Sequence, residues 1–209
     1  MVSHISGRTV IQLSTGTPKE ARDSEAWLRR CGGDYLDGAI MEYPKSIGAA
    51  DAMILIAGSE AVFERHRSML ECLGGDLRYL GENIAAPAAL DLASLSHSLG
   101  KYVGFAHAAR LCESEKVGAD QFASMFPIGD RARELAEIVH AGAYELSSLY
   151  DGASIRVWEG VAQRLQAKAL DAEINSEIPD FISSIFKRAV AAGHGEEDLA
   201  ALIKVLRGA

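Results

Sequence analysis

The stretch STGTP, residues 14–18, places hydroxyls, a glycine and backbone N–H groups between an apolar β-branched run and the start of a helix. Open α/β sheets bind ligands beyond the carboxyl ends of their strands, where a helix N-terminus adds N–H donors. Ser14, Thr15 and Gly16 are therefore candidate ligand contacts, with a plain capping loop as the competing structural reading. Asp91 is the second candidate, because it is the sole ionisable side chain in the apolar stretch 84–96. Burial would raise its pKa and keep it an acid with a proton to give, whereas the first turns of a helix favour the carboxylate. The sequence leaves open whether Asp91 is a proton donor or only a partner of the helix dipole. Asp37, inside the apolar segment YLDGAIM, needs a hydrogen-bond partner or solvent. A structural hydrogen bond is expected there, and the Gly-, Pro- and polar-rich loop that follows, up to Gly48, sits where functional loops sit.

Other chemistries lack their residues. His97 and His107 are ten residues apart, which is not a ligand spacing on a helix, and no metal site is expected. No GxSxG, HExxH, Walker A or paired-cysteine motif occurs. GHGEED, residues 193–198, reads as a helix stop followed by an acidic helix start, a structural segment. The net charge of −8, with no Lys/Arg-rich run, excludes the footprint of a nucleic-acid binder. Cys31, Cys72 and Cys112 are odd in number and embedded in apolar patterns, so reduced core thiols in a cytoplasmic protein are expected. No basic-then-apolar leader and no apolar run of about 20 residues is present, so neither export nor a membrane partner is expected.

The elements that must position these residues alternate at first. Strands are predicted near residues 9–13, 35–41, 53–57 and 78–80. Thr17-Pro18-Lys19-Glu20 is a capping box that opens a helix with Ala21, Leu28 and Cys31 near one face and Trp27 alongside, closed by Gly32-Gly33. Ser59 caps a second helix, with Val62, His66, Met69, Leu70 and Leu73 as its inward stripe and Gly74-Gly75 as its stop. This βαβ-type pattern, apolar on both strand faces, implies a sheet covered by helices. From Pro87 the pattern is helical alone, beginning with a segment over 87–112 about 40 Å long at 1.5 Å per residue. Further helices are predicted near 120–126, 130–141, 154–172, 179–192 and 196–207. The division expected is an α/β segment over 1–81 and an all-α domain over 82–209, packed across a short boundary. The long apolar helix has more surface than these elements can cover, so a homodimer is expected.

With these residues in place, the chain resembles the imine reductase and reductive aminase family, within the wider 6-phosphogluconate dehydrogenase and β-hydroxyacid dehydrogenase superfamily. The segments that carry the resemblance are GRTVIQLSTGTPKEAR, GGDYLDGAIMEYPKSIGAADAMILIAGS, LGGDLRYLG, ALDLASLSHSLG and FKRAVAAGHGEEDLAALIKVLR. They run in order from Gly7 to Arg207. The resemblance implies an α/β half-Rossmann segment, then an all-α domain that begins with a long interdomain helix, in an intertwined dimer whose active sites lie between one Rossmann domain and the partner's helices. It implies an NADPH-dependent hydride transfer to an imine carbon. Asp91 matches the family's proposed proton donor, and Ser14, Thr15 and Gly16 match the loop beside the nicotinamide end of the cofactor.

The sequence departs from that family in two places. Reductive aminases often carry a Tyr two helical turns after the acid, and here Leu99 stands there, which counts against amine activation of that type. The GxGxxG turn, whose N–H groups and helix N-terminus anchor a dinucleotide, does not occur. The reading that covers most residues is the C-terminal part of an imine reductase-like oxidoreductase, not competent alone. The alternatives are a complete shortened paralogue that binds or acid–base transforms a small molecule without NADPH, and a structural helical dimer.

Overall fold

The computed structural model describes residues 5–146 and 152–207, and they divide into two compact units between Ser94 and Leu95. The first unit holds β1 (Thr9–Gln12), α1 (Pro18–Arg30), β2 (Asp34–Ile40), β3 (Met53–Gly58), α2 (Glu60–Leu70), β4 (Asp76–Tyr79) and the start of α3 (Ala86–Ser114). The sheet order is β1-β2-β3-β4. β1 pairs parallel to β2 and β3 parallel to β4, each through a crossover helix, but β2 and β3 are antiparallel. The βαβ expectation thus holds twice and fails once. Residues 41–52 supply only a 3₁₀ turn at Pro44–Ser46 in place of a crossover helix, so the chain reverses.

Local chemistry explains where the elements begin and what they bury. At α1 both bonds of the Thr17–Glu20 capping box form and Pro18 opens the helix. Alternation along the strands then sorts the core. Leu36, Ile54 and Ile56 pack on Val62, Phe63 and Leu70 of α2, with Ile11, Ile40 and Leu77 around them. Phe63 stacks on Tyr79 with ring centroids 4.5 Å apart. On the opposite face Tyr35 packs with Leu28 of α1 and with Ile84. Gly38 is required by close approach, since a Cβ there would stand 2.6 Å from Ile56 Cδ1 and 2.7 Å from the Leu55 carbonyl oxygen.

Met69 is 52% exposed rather than inward, because α2 turns Leu70 to the sheet. Ser59 is the N-cap residue of α2, yet its side chain makes no capping bond. The three cysteines are free as expected but are not core thiols, Cys72 being exposed and Cys31 and Cys112 half-buried.

The second unit contains the rest of α3 together with α4 (Ala119–Met125), α5 (Asp130–Ala141), α6 (Ile155–Asp171), α7 (Glu177–Ala191) and α8 (Leu202–Leu206). Trp158, Val161, Leu165 and Ala169 of α6 and Ile182, Ile185, Phe186 and Ala189 of α7 are buried, as their period requires. Tyr102 of α3 meets Trp158 edge-on at 5.7 Å. The helix expected over 196–207 is broken. Asp198 accepts a hydrogen bond from the Ala200 N–H and starts a 3₁₀ turn, Leu199–Ala201, which leads into α8.

Candidate functional site

The loop that follows β1 is built from its own polar groups. Ser14 is exposed, Thr15 and Gly16 are half-buried, and Thr17 and Pro18 are buried. The Ser14 N–H donates to Gln12 Oε1 at 3.4 Å. The Thr17 N–H donates to Glu20 Oε2 at 2.7 Å, and the Glu20 N–H donates to Thr17 Oγ1 at 3.2 Å. Pro18 has no N–H. The Thr17, Glu20 and Ala21 N–H groups are therefore bonded within the capping box and the first turn, and the Glu20 carboxylate lies at the helix start, where an anion would otherwise be favoured. Such a loop suits an uncharged ring, with the Ser14 and Thr15 hydroxyls as hydrogen-bonding groups, and opposes a phosphate.

Asp91 lies in the second turn of α3 and is 7% exposed, with the buried Pro87, Ala88 and Leu92 near it on the helix. The α3 entry is fixed by Asn83, whose carbonyl accepts from the Ala86 N–H at 2.9 Å and whose side-chain oxygen accepts from the Ala85 N–H at 3.3 Å. Ser14, Thr15, Gly16 and Asp91 all belong to the first unit. Leu99 lies beyond Ser94 and is fully buried, with no acid–base group to offer. His97 and His107 are exposed. Among the described residues, no group of three or more His, Cys, Asp or Glu could hold a metal ion, and no helix is long and apolar enough to cross a membrane.

Asp37 has the structural bond expected of it, and more. It is 4% exposed, and the Tyr35 hydroxyl donates to its Oδ1 at 2.9 Å, the two side chains sharing one face of β2. Burial pushes the Asp37 carboxyl up from 3.8 to about 6, against the pull of the Tyr35 hydrogen bond. Tyr35 is pushed up as well, first by burial and then by the Asp37 charge. The folded chain binds this proton more tightly than the unfolded chain. The stabilisation it brings is thus complete below pH 3.8 and is lost as the pH rises to about 6. Asp37→Asn is expected to remove that slope, read as the change in urea-unfolding stability of parent and variant between pH 4 and pH 7.

The family of NADPH-dependent reductive aminase-like C-terminal domains matches residues 83–208, which include Asp91. The chain is 28% identical to an NADPH-dependent reductive aminase of Aspergillus oryzae, over 96% of this chain and 69% of that protein. It is 31% identical to the imine reductase of Myxococcus stipitatus in complex with NADP+, with a TM-score of 0.59, over 98% of this chain and 72% of that one. A 3-hydroxyisobutyrate dehydrogenase of Salmonella typhimurium, at 17% identity and a TM-score of 0.79, shares the fold. The match over residues 83–208 and the likeness to the imine reductase over nearly the whole chain place this chain in the NADPH-dependent reductive aminase-like family.

Proposed function

We propose that this chain carries the nicotinamide-side loop and the proton donor of an NADPH-dependent imine-reducing oxidoreductase, and that a dinucleotide-holding segment outside its 209 residues completes the site. The observation that carries this reading is the buried Asp91 in the second turn of α3, inside the region that matches the reductive aminase-like domain. NADPH supplies a hydride when bound. Ser14, Thr15 and Gly16 would lie against its uncharged ring, since the Glu20 carboxylate that caps Thr17 at the start of α1 disfavours a phosphate there. Asp91 would give its proton to the substrate nitrogen as the hydride reaches the adjacent carbon. The substrate class is a small imine, or an amine and carbonyl that condense to one, and the assembly is a homodimer in which 82–209 serve as the dimerisation and substrate domain.

The test is a titration of NADPH into the 209-residue chain, read by calorimetry or by quenching of Trp27 and Trp158. No saturation up to millimolar cofactor is the expected result, because the pyrophosphate has no Gly-rich turn to rest on. Micromolar affinity would overturn the requirement for a further segment.

A further inference from the structure

Several features outside the proposed chemistry are accounted for by packing alone, but the Tyr35–Asp37 pair is not. A carboxyl 4% exposed in the sheet has a hydrogen-bonded phenol as its partner and, among the described residues, no basic side chain acting on it. Its neighbours across the ladders are Gln12 of β1 and Ala57 of β3. Neither strand contains a titratable residue. Gln12 is also the residue whose side-chain oxygen accepts the Ser14 N–H. On the other side, the Tyr35 hydroxyl meets the Ser24 side chain of α1, and of the charged groups on that helix Glu20 is the one whose field reaches Tyr35. Glu20 caps Thr17. The pair therefore borders both supports of the Ser14–Thr17 loop, namely the end of β1 and the first turn of α1.

We propose that Tyr35 and Asp37 are positioning residues for the nicotinamide-side loop: the ionised Asp37 draws the Tyr35 hydroxyl to itself, and the neutral acid releases it, so that the loop is held differently in the two protonation states. The physical basis is the strength of an O–H donor to a carboxylate, about twice that to a neutral acceptor. When Asp37 carries a proton it has an O–H of its own to place, and the phenol is free to engage Ser24 more strongly. The change enters α1 one helical turn after Glu20 and so bears on the capping box that ends the loop. This inference rests on the functional reading for what the loop contacts, but not for whether the loop responds.

The experiment is hydrogen–deuterium exchange of the backbone amides of residues 14–17, 19 and 20 in the full chain from pH 5 to pH 8, corrected for intrinsic exchange, beside a carboxyl-carbon NMR titration of Asp37. In the parent, protection of these amides is expected to change about fivefold through the same pH range in which Asp37 titrates. Asp37→Asn should abolish the step. Tyr35→Phe removes the hydroxyl that carries the change and should also abolish the step in loop protection, while the Asp37 carboxyl titration itself moves to higher pH because the bond that lowers its pKa is gone. Flat protection while Asp37 titrates, or a step that survives in Asp37→Asn, overturns the proposal. NADPH affinity is measured separately, so its absence bears on the proposed function and not on this coupling.

Discussion

Asp91→Asn is expected to lower imine reduction by about 10²- to 10⁴-fold, the range that a single general acid contributes, while cofactor affinity stays as it was. The substitution keeps the shape of the side chain in a position only 7% exposed, so the helix should repack without a cavity. It removes the one thing that the proposal requires of Asp91, a proton that can leave. If the proton moves in the same step as the hydride, kcat and kcat/KM should fall together, because the interaction lost is made only in the transition state. The assay is run with the dinucleotide-holding segment supplied, and parent and variant are compared at saturating substrate. A variant that keeps full activity would assign Asp91 to the helix alone. A variant whose KM rises while kcat stands would make it a substrate-binding residue instead.

How much of this was legible in the sequence depended on the range of the interactions. The start of α1 could be read from four consecutive residues because the Thr17–Glu20 bonds are local. Asp91 stands out in the sequence by its isolation among apolar neighbours, but its burial could not be read from them, since Ala89, Leu90 and Ala93 are exposed while Ala88 and Leu92 are buried with Asp91. The reversal between β2 and β3 could not be read, because both strands are apolar on both faces and the residues that join them carry no signal of direction. The inward stripe of α2 reads one residue too wide in the sequence: of the adjacent Met69 and Leu70, Leu70 is fully buried and Met69 is exposed. The Tyr35–Asp37 bond was within reach, since residues two apart on a strand share a face. Its proximity to the loop was not, because that follows from the β1–β2 register and the path of α1. The segment 193–198 shows the limit best. Its acids look alike in sequence, but Glu196 takes Arg156, Glu197 takes Lys204 and His194, and Asp198 takes Arg131.

Of these acids Asp198 is the one whose loss of partner should cost most. Its side chain is 7% exposed, and its Oδ2 accepts from Arg131 Nη2 of α5 at 3.0 Å while Oδ1 holds the Ala200 N–H at 2.8 Å. Glu196 and Arg156, by contrast, are both more than half exposed, and a pair of that kind is worth at most about 1 kcal/mol. Removing one partner of a buried pair leaves a charge that neither water nor protein compensates, which costs about 3–5 kcal/mol when burial is complete. Arg131 is 26% exposed, so some water reaches the vacated position, and Arg131→Ala is expected to destabilise the chain by about 2–4 kcal/mol in urea. Asp198→Asn should cost less, because the amide oxygen can still accept from Ala200 and the more exposed Arg131 keeps Glu134 at 2.8 Å. The double variant separates charge from packing. If it is more stable than Arg131→Ala alone, the cost of losing Arg131 is that of a stranded carboxylate. If the two losses simply add, the guanidinium of Arg131 serves as packing between α5 and the turn at Leu199–Ala201, and the pair contributes nothing through its charge.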